Sequence, residues 1–297
     1  MNGANVKQLA AAIDRQVRTD GLHATAVPEL TLIRFSAPSE PVPVVYEPSL
    51  CLIAQGSKRV ELAGEAFQYD PAHFLLVSVD LPVCGRVTEA TPAAPYLGVK
   101  ITLDAGMVGE LVADGAGTDA RGSARGLAVS PVEPALLDAV GRLVGLGDNL
   151  RDAGALAPLV LREITYRLLT GEQGMRLRQI AAAGGPAQRI ARAIRWLRDH
   201  FAEPLRVEVL AREVRMSLSA LHHHFKGVTA MSPLQYQKRL RLQEARRLML
   251  GEGLDASAAA FRVGYESPSQ FSREYRRQFG APPRRDVATI QAEPVPV

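Results

Sequence analysis

The spacing of hydrophobic positions changes twice along the chain. Residues 28–103 contain short runs rich in Val, Ile, Leu, Phe and Tyr, and Pro, Gly or Asp separates each run from the next. Many short strands with regular turn signals are typical of an antiparallel sandwich or barrel. Between about 105 and 170 the apolar residues recur at helical spacing, which predicts amphipathic helices beside the strands. From Ala187 onward the pattern predicts helices alone.

These changes predict an α+β protein with two domains and divide the chain into five segments. The segments are an N-terminal helical arm, a β-domain with flanking helices, a linker, an all-helical domain and a disordered tail, at residues 1–27, 28–170, 171–186, 187–287 and 288–297. An Ala-Gly-Gly-Pro break places the linker, because Gly and Pro interrupt helices. The final Ala-Glu-Pro-Val-Pro-Val run predicts the disordered tail.

The helical domain contains two predicted helix-turn-helix units, at residues 207–226 and 255–279. In each unit a short helix is followed by a tight turn and by a second helix that begins at a serine. The runs Ser-Pro-Leu-Gln at 232–235 and Ser-Pro-Ser-Gln at 267–270 carry the same capping signature, with a Gln that can reach back to the helix start. A helix-turn-helix presents the N-terminal part of its second helix to the major groove of DNA. The sequence therefore predicts a DNA-reading domain.

Side chains suited to DNA recognition lie opposite the apolar face of each predicted recognition helix. The residues predicted to contact base edges are Ser219, His222, His223, Gln270 and Arg273. The residues predicted to contact phosphates are Ser217, Lys226, Ser267 and Arg277. Gln270 has an alternative role as a capping residue. His224 is expected to face the helix's own support, and consecutive helical residues point about 100° apart, so residues 222–224 do not predict a metal site.

Composition and charge agree with this interpretation. Apolar residues make up 47% of the chain and charged residues 22%, as in soluble globular proteins. The sequence has no long apolar run that would predict a membrane span or a secretory signal. Two cysteines, Cys51 and Cys84, form no disulfide framework, which favours the cytoplasm. From residue 187 onward 19 Lys and Arg stand against 11 Asp and Glu, whereas the preceding part has 16 against 20. A basic third joined to a mildly acidic remainder favours a polyanion-binding module.

The stretch from about 187 to 286 resembles the DNA-binding domain of AraC/XylS-type regulators. The most diagnostic run follows the pattern A-x-x-x-G-Y-x-S-x-S-x-F-x-R-x-Y-R-R-x-x-G-x-x-P, from Ala260 to Pro283. Two positions depart from the family's pattern. Arg215 occupies the first turn, where the family usually has Gly, and Asp286 stands where an aromatic residue often follows the final Pro. Neither lies on a recognition helix.

Residues 28–170 resemble the AraC-type N-terminal effector domain, which has a cupin-like fold. The runs YEPSLCLIAQGSKRV and EAFQYDPAHFLLVSVDLPV carry this resemblance. It implies ligand sensing or dimerisation. Together the two resemblances imply a sequence-specific transcription regulator, with an activator favoured, whose two recognition helices enter successive major grooves about 34 Å apart. The implied partners are double-stranded promoter DNA, a small-molecule effector, RNA polymerase and a second copy of the chain. The leucine-lined helices at 134–147 and 156–169 are either domain core or a dimer seam.

Other functions and sites remain as alternatives. One alternative is a cupin-type metal enzyme with a DNA-targeting appendage, which would need clustered His and carboxylate ligands. The strand region has only one histidine, His73. We therefore expect neither enzyme activity nor a metal or other cofactor. A non-specific architectural DNA binder is a third possibility. Cys51 lies in an apolar strand and is expected to be a small buried hydrophobe. Alternatively it lines the effector pocket and reacts with an electrophile, with Lys58 and Arg59 nearby.

Overall fold

The computed structural model describes residues 2–117, 125–181 and 186–292. Its strands are β1 (Gly21–Ala24), β2 (Leu30–Phe35), β3 (Val42–Tyr46), β4 (Ser49–Gln55), β5 (Ser57–Leu62), β6 (Glu65–Tyr69), β7 (His73–Val77), β8 (Leu81–Glu89), β9 (Tyr96–Thr102) and β10 (Leu127–Pro131). Its helices are α1 (Asn2–Gln16), α2 (Ala105–Ala113), α3 (Pro134–Leu146), α4 (Leu150–Thr170), α5 (Gly174–Ala181), α6 (Pro186–Asp199), α7 (Val207–Glu213), α8 (Leu218–Thr229), α9 (Pro233–Gly251), α10 (Ala256–Arg262), α11 (Pro268–Phe279) and α12 (Pro283–Ala292).

Two antiparallel sheets form the N-terminal domain, in the strand orders β1-β2-β9-β4-β7-β10 and β3-β8-β5-β6. Alternation along the strands assigns each side chain to one of two cores. In β4, Leu50 and Leu52 pack with Ile13 and Ile164 of the helices, whereas Cys51 and its neighbour Ile53 belong to the core between the sheets. The predicted α+β fold, with a β-sandwich and an all-helical C-terminal domain, is therefore confirmed.

Three predicted segment boundaries differ from the structure because long-range packing orders the segments involved. The expected N-terminal arm is part of the domain, since Ile13 of α1 is fully buried and β1 pairs with β2. Within the expected linker, α5 forms and buries Leu177, while the Gly-Gly pair itself lies outside the described residues. The expected tail begins as helix, because α12 continues to Ala292; residues 293–297 lie outside the described part of the chain.

The first helix-turn-helix unit packs directly on the β-domain. One buried cluster joins Leu75 and Val83 of the sandwich to Phe225 and Tyr236 of α8 and α9. The Tyr236 hydroxyl donates to the backbone oxygen of Asp80 at 2.8 Å, and the side chain of Arg198 in α6 lies 2.9 Å from the Asp80 carboxylate. The second unit has a smaller core of its own. No helix in the described part of the chain is long and apolar enough to cross a membrane.

Candidate nucleic-acid interface

The first recognition helix, α8, exposes the side chains predicted to contact DNA. Ser217 caps the helix by accepting the backbone N–H of Ala220 at 3.2 Å. Leu221 and Phe225 are fully buried beneath the helix. The predicted DNA-contacting residues on this helix are all exposed, namely Ser217, Ser219, His222, His223 and Lys226. They form one continuous polar face from the helix N-terminus to its last turn.

The second recognition helix, α11, repeats this arrangement. Ser267 accepts the N–H of Gln270 at 3.3 Å, and Phe271 and Tyr275 are fully buried. The exposed residues on the opposite face include Ser269, Gln270, Arg273 and Arg277. Ser269 was not among the residues predicted from the sequence, although its spacing of four from Arg273 places both on one face of a helix. The two recognition helices thus offer matching polar faces.

The two serine-proline capping runs behave differently in the structure. At α9 the capping box is complete, because Gln235 also accepts the N–H of Ser232 at 2.9 Å. At α11 the Gln270 amide donates to Glu274 at 3.2 Å, one turn further along the helix. The alternative capping role of Gln270 is therefore not realised in this structure, and its side chain stays on the exposed face.

Glu274 anchors the second recognition helix to the rest of the domain. It accepts hydrogen bonds from Lys238 of α9 at 2.8 Å and from the Tyr265 hydroxyl at 2.9 Å, in addition to Gln270. Burial disfavours the charged carboxylate, but the hydrogen bonds outweigh this cost, and the pKa of Glu274 is lowered. An ionised Glu274 therefore fixes the orientation of α11 against α9.

The two departures from the family pattern have clear structural consequences. Arg215 has a φ of +54°, so a residue with a side chain adopts the left-handed conformation that glycine favours. Asp286 is buried and accepts two hydrogen bonds from Arg246, at 2.8 and 2.9 Å, and one from the Tyr275 hydroxyl at 2.7 Å. Where the family often has an aromatic residue, this chain has an ion pair from Asp286 of α12 to Arg246 of α9. The hydrogen bond from Tyr275 joins α12 to α11.

The three histidines of residues 222–224 differ in their exposure. His222 and His223 are exposed, whereas His224 is half-buried and its Nδ1 atom is enclosed by protein. As predicted, His224 faces the helix's support. Within residues 2–117, 125–181 and 186–292, no group of three or more His, Cys, Asp or Glu side chains is placed to hold a metal ion.

The space between the two sheets contains polar side chains that point inward. Cys51 pairs with Lys100 across the β4–β9 ladder, and Lys58 pairs with Tyr69 across the β5–β6 ladder. The Nζ atom of Lys58 lies 5.6 Å from the centre of the Tyr46 ring. Tyr69 and Tyr96 are buried close by. We call this set of residues, Tyr46, Cys51, Lys58, Tyr69, Tyr96 and Lys100, the sandwich chamber.

Two glycines make room for the chamber's polar side chains. A Cβ atom on Gly98 would lie 2.9 Å from the Tyr96 hydroxyl oxygen, and one on Gly85 would lie 3.2 Å from that of Tyr46. In the described part of the chain no carboxylate forms an ion pair with Lys58 or Lys100. The chamber therefore contains two cations without an acidic partner.

Electrostatics distinguish the lysine of the chamber from its cysteine. Burial raises the pKa of the Cys51 thiol, and Lys58 and Lys100 lower it less, so the thiol stays neutral. Burial disfavours the Lys58 ammonium, but the Tyr46 and Tyr96 oxygens outweigh this cost and raise its pKa. A charged Lys58 beside a neutral Cys51 favours the small-hydrophobe role for the cysteine.

A β-sandwich domain packed on two helix-turn-helix units with exposed polar faces is the architecture of a DNA-binding protein with a second, sheet-based domain. Residues 26–176 match the profile of the "AraC-type transcriptional regulator N-terminus", and residues 210–287 match that of a "Helix-turn-helix domain". The chain belongs to the AraC-type transcriptional regulators. The resemblance inferred from the sequence is thus confirmed.

Individual relatives are similar over part or all of the chain. The "HTH-type transcriptional activator RhaS" of Salmonella paratyphi A is 34% identical over 157 residues, which cover 52% of this chain and 55% of that protein. The chain thus aligns with about half the length of the curated relatives it matches. ToxT from Vibrio cholerae has a similar fold, with a TM-score of 0.58 at 11% identity over 91% of this chain and 98% of that chain. A ToxT structure with bound unsaturated fatty acid gives 0.55 at 11% identity, over 95% and 100%. At this identity the likeness shows the fold alone.

Proposed function

We propose that this protein is a sequence-specific transcription activator that responds to a small-molecule effector. The observation that carries the proposal is the pair of exposed polar faces on α8 and α11, each at the N-terminal end of a helix-turn-helix recognition helix. The activator RhaS is similar to about half of the chain, which supports activation as the direction of control. Membership of a regulator family favours a protein without catalysis of its own.

The proposed DNA contacts follow from the two faces. Ser219, His222, His223, Gln270 and Arg273 contact base edges in two successive major grooves. Ser217, Lys226, Ser267 and Arg277 contact phosphates beside them. Arginine reads guanine through two parallel hydrogen bonds, which discriminate by roughly 1–3 kcal/mol.

Removing the Arg273 side chain tests sequence reading. We expect Arg273→Ala to weaken binding to the cognate site by roughly 1–3 kcal/mol and to weaken binding to random DNA much less. Genome-wide footprinting supplies the cognate site, and fluorescence anisotropy measures both affinities. Arg247→Ala is the matched control, because the Arg247 charge is already offset by Glu244 and Glu252. Equal losses on cognate and random DNA would assign Arg273 to a phosphate, and a lack of any sequence preference would favour an architectural binder.

The effector site is proposed to be the sandwich chamber. Two inward lysines without an acidic partner suit an anionic group, and the tyrosines and Cys51 supply hydroxyl, aromatic and thiol surface around it. A carboxylate is one such group, and ToxT has been solved with an unsaturated fatty acid bound. Cys51 is included as a neutral thiol that packs against the ligand, and not as a nucleophile.

Replacing Lys58 tests this assignment. We expect thermal-shift screening of small carboxylic acids to find ligands that stabilise the wild-type protein, and Lys58→Met to lose that stabilisation. The control is Arg59→Met, because Arg59 is the next residue along β5 and is paired with Glu61 at 3.0 Å outside the chamber. If both variants respond like the wild type, the ligand binds elsewhere.

The protein is further proposed to act as a homodimer in the cytoplasm, where promoter DNA and RNA polymerase are found. Leu156, Leu159 and Tyr166 are exposed along one face of α4 and form an apolar stripe. Such a stripe on the sensory domain is a suitable seam for a second copy of the chain. Activation also requires contact with RNA polymerase, which is the further partner proposed.

A further inference from the structure

A basic cleft separates the two helix-turn-helix units. It is a groove of about 400 Å³ between α9 and α11, and its polar lining includes Gln235, Lys238, Arg239, Glu274 and Arg277. The lining therefore carries three cationic side chains and one carboxylate, and that carboxylate already accepts a hydrogen bond from Lys238. Arg239 is half-buried and has no ion-pair or hydrogen-bond partner among the residues that the structure describes. Burial lowers its pKa, as expected for a cation that lacks an anionic partner.

The position of the cleft indicates which anion it suits. The cleft begins at the turn that ends α8 and continues along α11 to Arg277. Two recognition helices that read successive major grooves of one duplex have phosphate backbone between them. The cleft includes Arg277, which is proposed to contact phosphate, and its excess of cations matches the negative charge of that backbone.

In this structure a turn of the β-domain occupies the end of the cleft. Leu62 pairs with Glu65, so β5 and β6 are joined by a two-residue turn of Ala63 and Gly64, whose φ values are +54° and +92°. Ala63 lines the basic cleft. Ala63 also lines a neighbouring groove of about 520 Å³ together with His223 and Lys226 of α8. The tip of the hairpin thus lies between the two DNA-reading units.

Two contacts hold the hairpin and its neighbouring loop against α8. Glu65, at the start of β6, pairs with Arg125 at 3.2 Å, and both residues line the groove that contains His223 and Lys226. The N–H of Gly126 donates to the backbone oxygen of Val228 at 2.9 Å, which joins the β-domain to the last turn of α8. Glu65 therefore places a carboxylate near side chains that are proposed to meet DNA.

We propose that the basic cleft binds the DNA backbone between the two base-reading helices, and that the β5–β6 hairpin tip competes with DNA for it. The proposal rests on the proposed function. Gln235, Lys238 and Arg239 are then DNA-backbone contacts in addition to those inferred from the sequence. Lys58 of the sandwich chamber lies on β5 only five residues before Ala63, roughly 16 Å along the strand. A ligand in the chamber therefore acts on the same strand that carries the tip.

A reversible cross-link tests the competition in the full-length protein. Ala63 and Ala230 line both grooves, so Ala63→Cys and Ala230→Cys introduce thiols on opposite sides of the docked contact. The native cysteines are replaced through Cys51→Ser and Cys84→Ser. We expect oxidation to form a disulfide and to lower affinity for the cognate site by about 10³-fold or more, to the level of non-specific binding. Reduction restores the affinity, and the two single-cysteine variants do not respond to oxidant.

A bulky tip provides the opposite test. The side chain introduced by Ala63→Trp is too large for the junction of the two grooves, so the hairpin tip can no longer dock there. Where the docked state is preferred over the undocked state by about 10:1 without effector, removing that preference raises the affinity for DNA by about tenfold, and we expect this increase. Ala93→Trp is the control, because Ala93 is an exposed turn residue beside α1. Arg239→Gln in the Ala63→Trp background is expected to weaken cognate and random DNA equally and to reduce the salt slope of binding by about one.

The outcomes separate this inference from the proposed function. An oxidised double-cysteine protein that binds DNA as well as the reduced form overturns the competition. Failure of the two thiols to link, measured by mass spectrometry, overturns the docked position of the tip. An unchanged salt slope in Arg239→Gln overturns the backbone contact. If neither the reduced protein nor Ala63→Trp binds any DNA sequence, the proposed function itself fails.

Discussion

Arg215 and Gly264 occupy equivalent places in the turns of the two helix-turn-helix units, and both have a positive φ, of +54° and +85°. The two turns tolerate side chains differently. A Cβ atom on Gly264 would collide with the carbonyl oxygen of Ala202, whereas Arg215 is exposed and its own carbonyl accepts a hydrogen bond from Arg189 at 2.9 Å. Glycine is therefore required in the second turn, while in the first it would only relieve conformational strain.

Exchanging these residues gives opposite predictions for stability. We expect Arg215→Gly to raise the free energy of unfolding by about 0.5–1 kcal/mol, because the left-handed conformation costs a residue with a side chain about 1–2 kcal/mol and glycine's extra freedom when unfolded offsets part of the gain. Gly264→Ala is expected to destabilise the domain by more than about 2 kcal/mol. Urea denaturation measures both changes. A destabilising Arg215→Gly would show that the arginine side chain contributes contacts that outweigh the strain.

At the scale of elements, identical local signals lead to different contacts. The capping runs at 232–235 and 267–270 both begin helices, as the sequence predicts. Only the first closes a full capping box; in the second, the Gln270 amide N–H donates to Glu274, one turn further along the helix. Local sequence therefore determined where each helix begins, and a neighbour within the same helix decided where the glutamine points.

Helix α4 combines a buried and an exposed apolar face. Ile164 and Leu168 belong to the core, whereas Leu159 is 65% exposed in the single chain. Both alternatives for this leucine-rich segment are therefore compatible with the structure, one on each face. Residues of the inner face stabilise the domain, and residues of the outer face are available to a second copy.

A charge placed on the outer face tests the dimer. We expect Leu159→Glu to convert the dimer to monomer without lowering the melting temperature of the chain, because the side chain contributes little to its own core. Analytical ultracentrifugation reports the mass, and DNA binding to a two-site promoter reports cooperativity. Leu22→Glu, on the exposed strand β1, is the matched control. Dissociation by the control and not by Leu159→Glu would move the seam to that strand.

For the molecule as a whole, the contact between the domains includes an ion pair between a buried aspartate and a partly exposed arginine. Asp80 is nearly inaccessible and faces Arg198, with Glu47, Arg195 and Asp199 also near it. Burial raises the pKa of Asp80, Arg198 lowers it less, and Glu47 raises it further. The folded-state pKa therefore lies above the ordinary value of 3.8, so the charged carboxylate costs stability relative to the neutral acid.

The sign of this shift predicts a pH dependence. Asp80 favours the folded state fully below pH 3.8, and this contribution is lost as pH rises through its raised native pKa. We therefore expect the stability of Asp80→Asn relative to the wild type to increase with pH over this range. Arg198→Ala is expected to destabilise at neutral pH, because it leaves the Asp80 charge buried without its partner, and the double variant is expected to recover part of the loss. Urea denaturation between pH 4 and 8 checks each expectation; a pH-independent difference contradicts the first.

The sequence by itself determined the elements and the class of the protein. Apolar spacing, turn residues and caps are local signals, so they located the strands, both helix-turn-helix units and the exposed faces of α8 and α11. The Ala260–Pro283 run also identified the family. These features depend on residues that are only a few positions apart, so they can be predicted from the order of residues in the sequence.

Tertiary structure alone decided what distant segments do to each other. It packed α1 and α5 into the core, because Ile13 and Leu177 find apolar partners far along the chain. It paired Asp286 with Arg246, gathered Lys58 and Lys100 inside the sandwich, and placed the tip at Ala63 between the recognition units. No local period encodes such contacts, since their free energy arises only when elements remote in sequence bury surface or charge together.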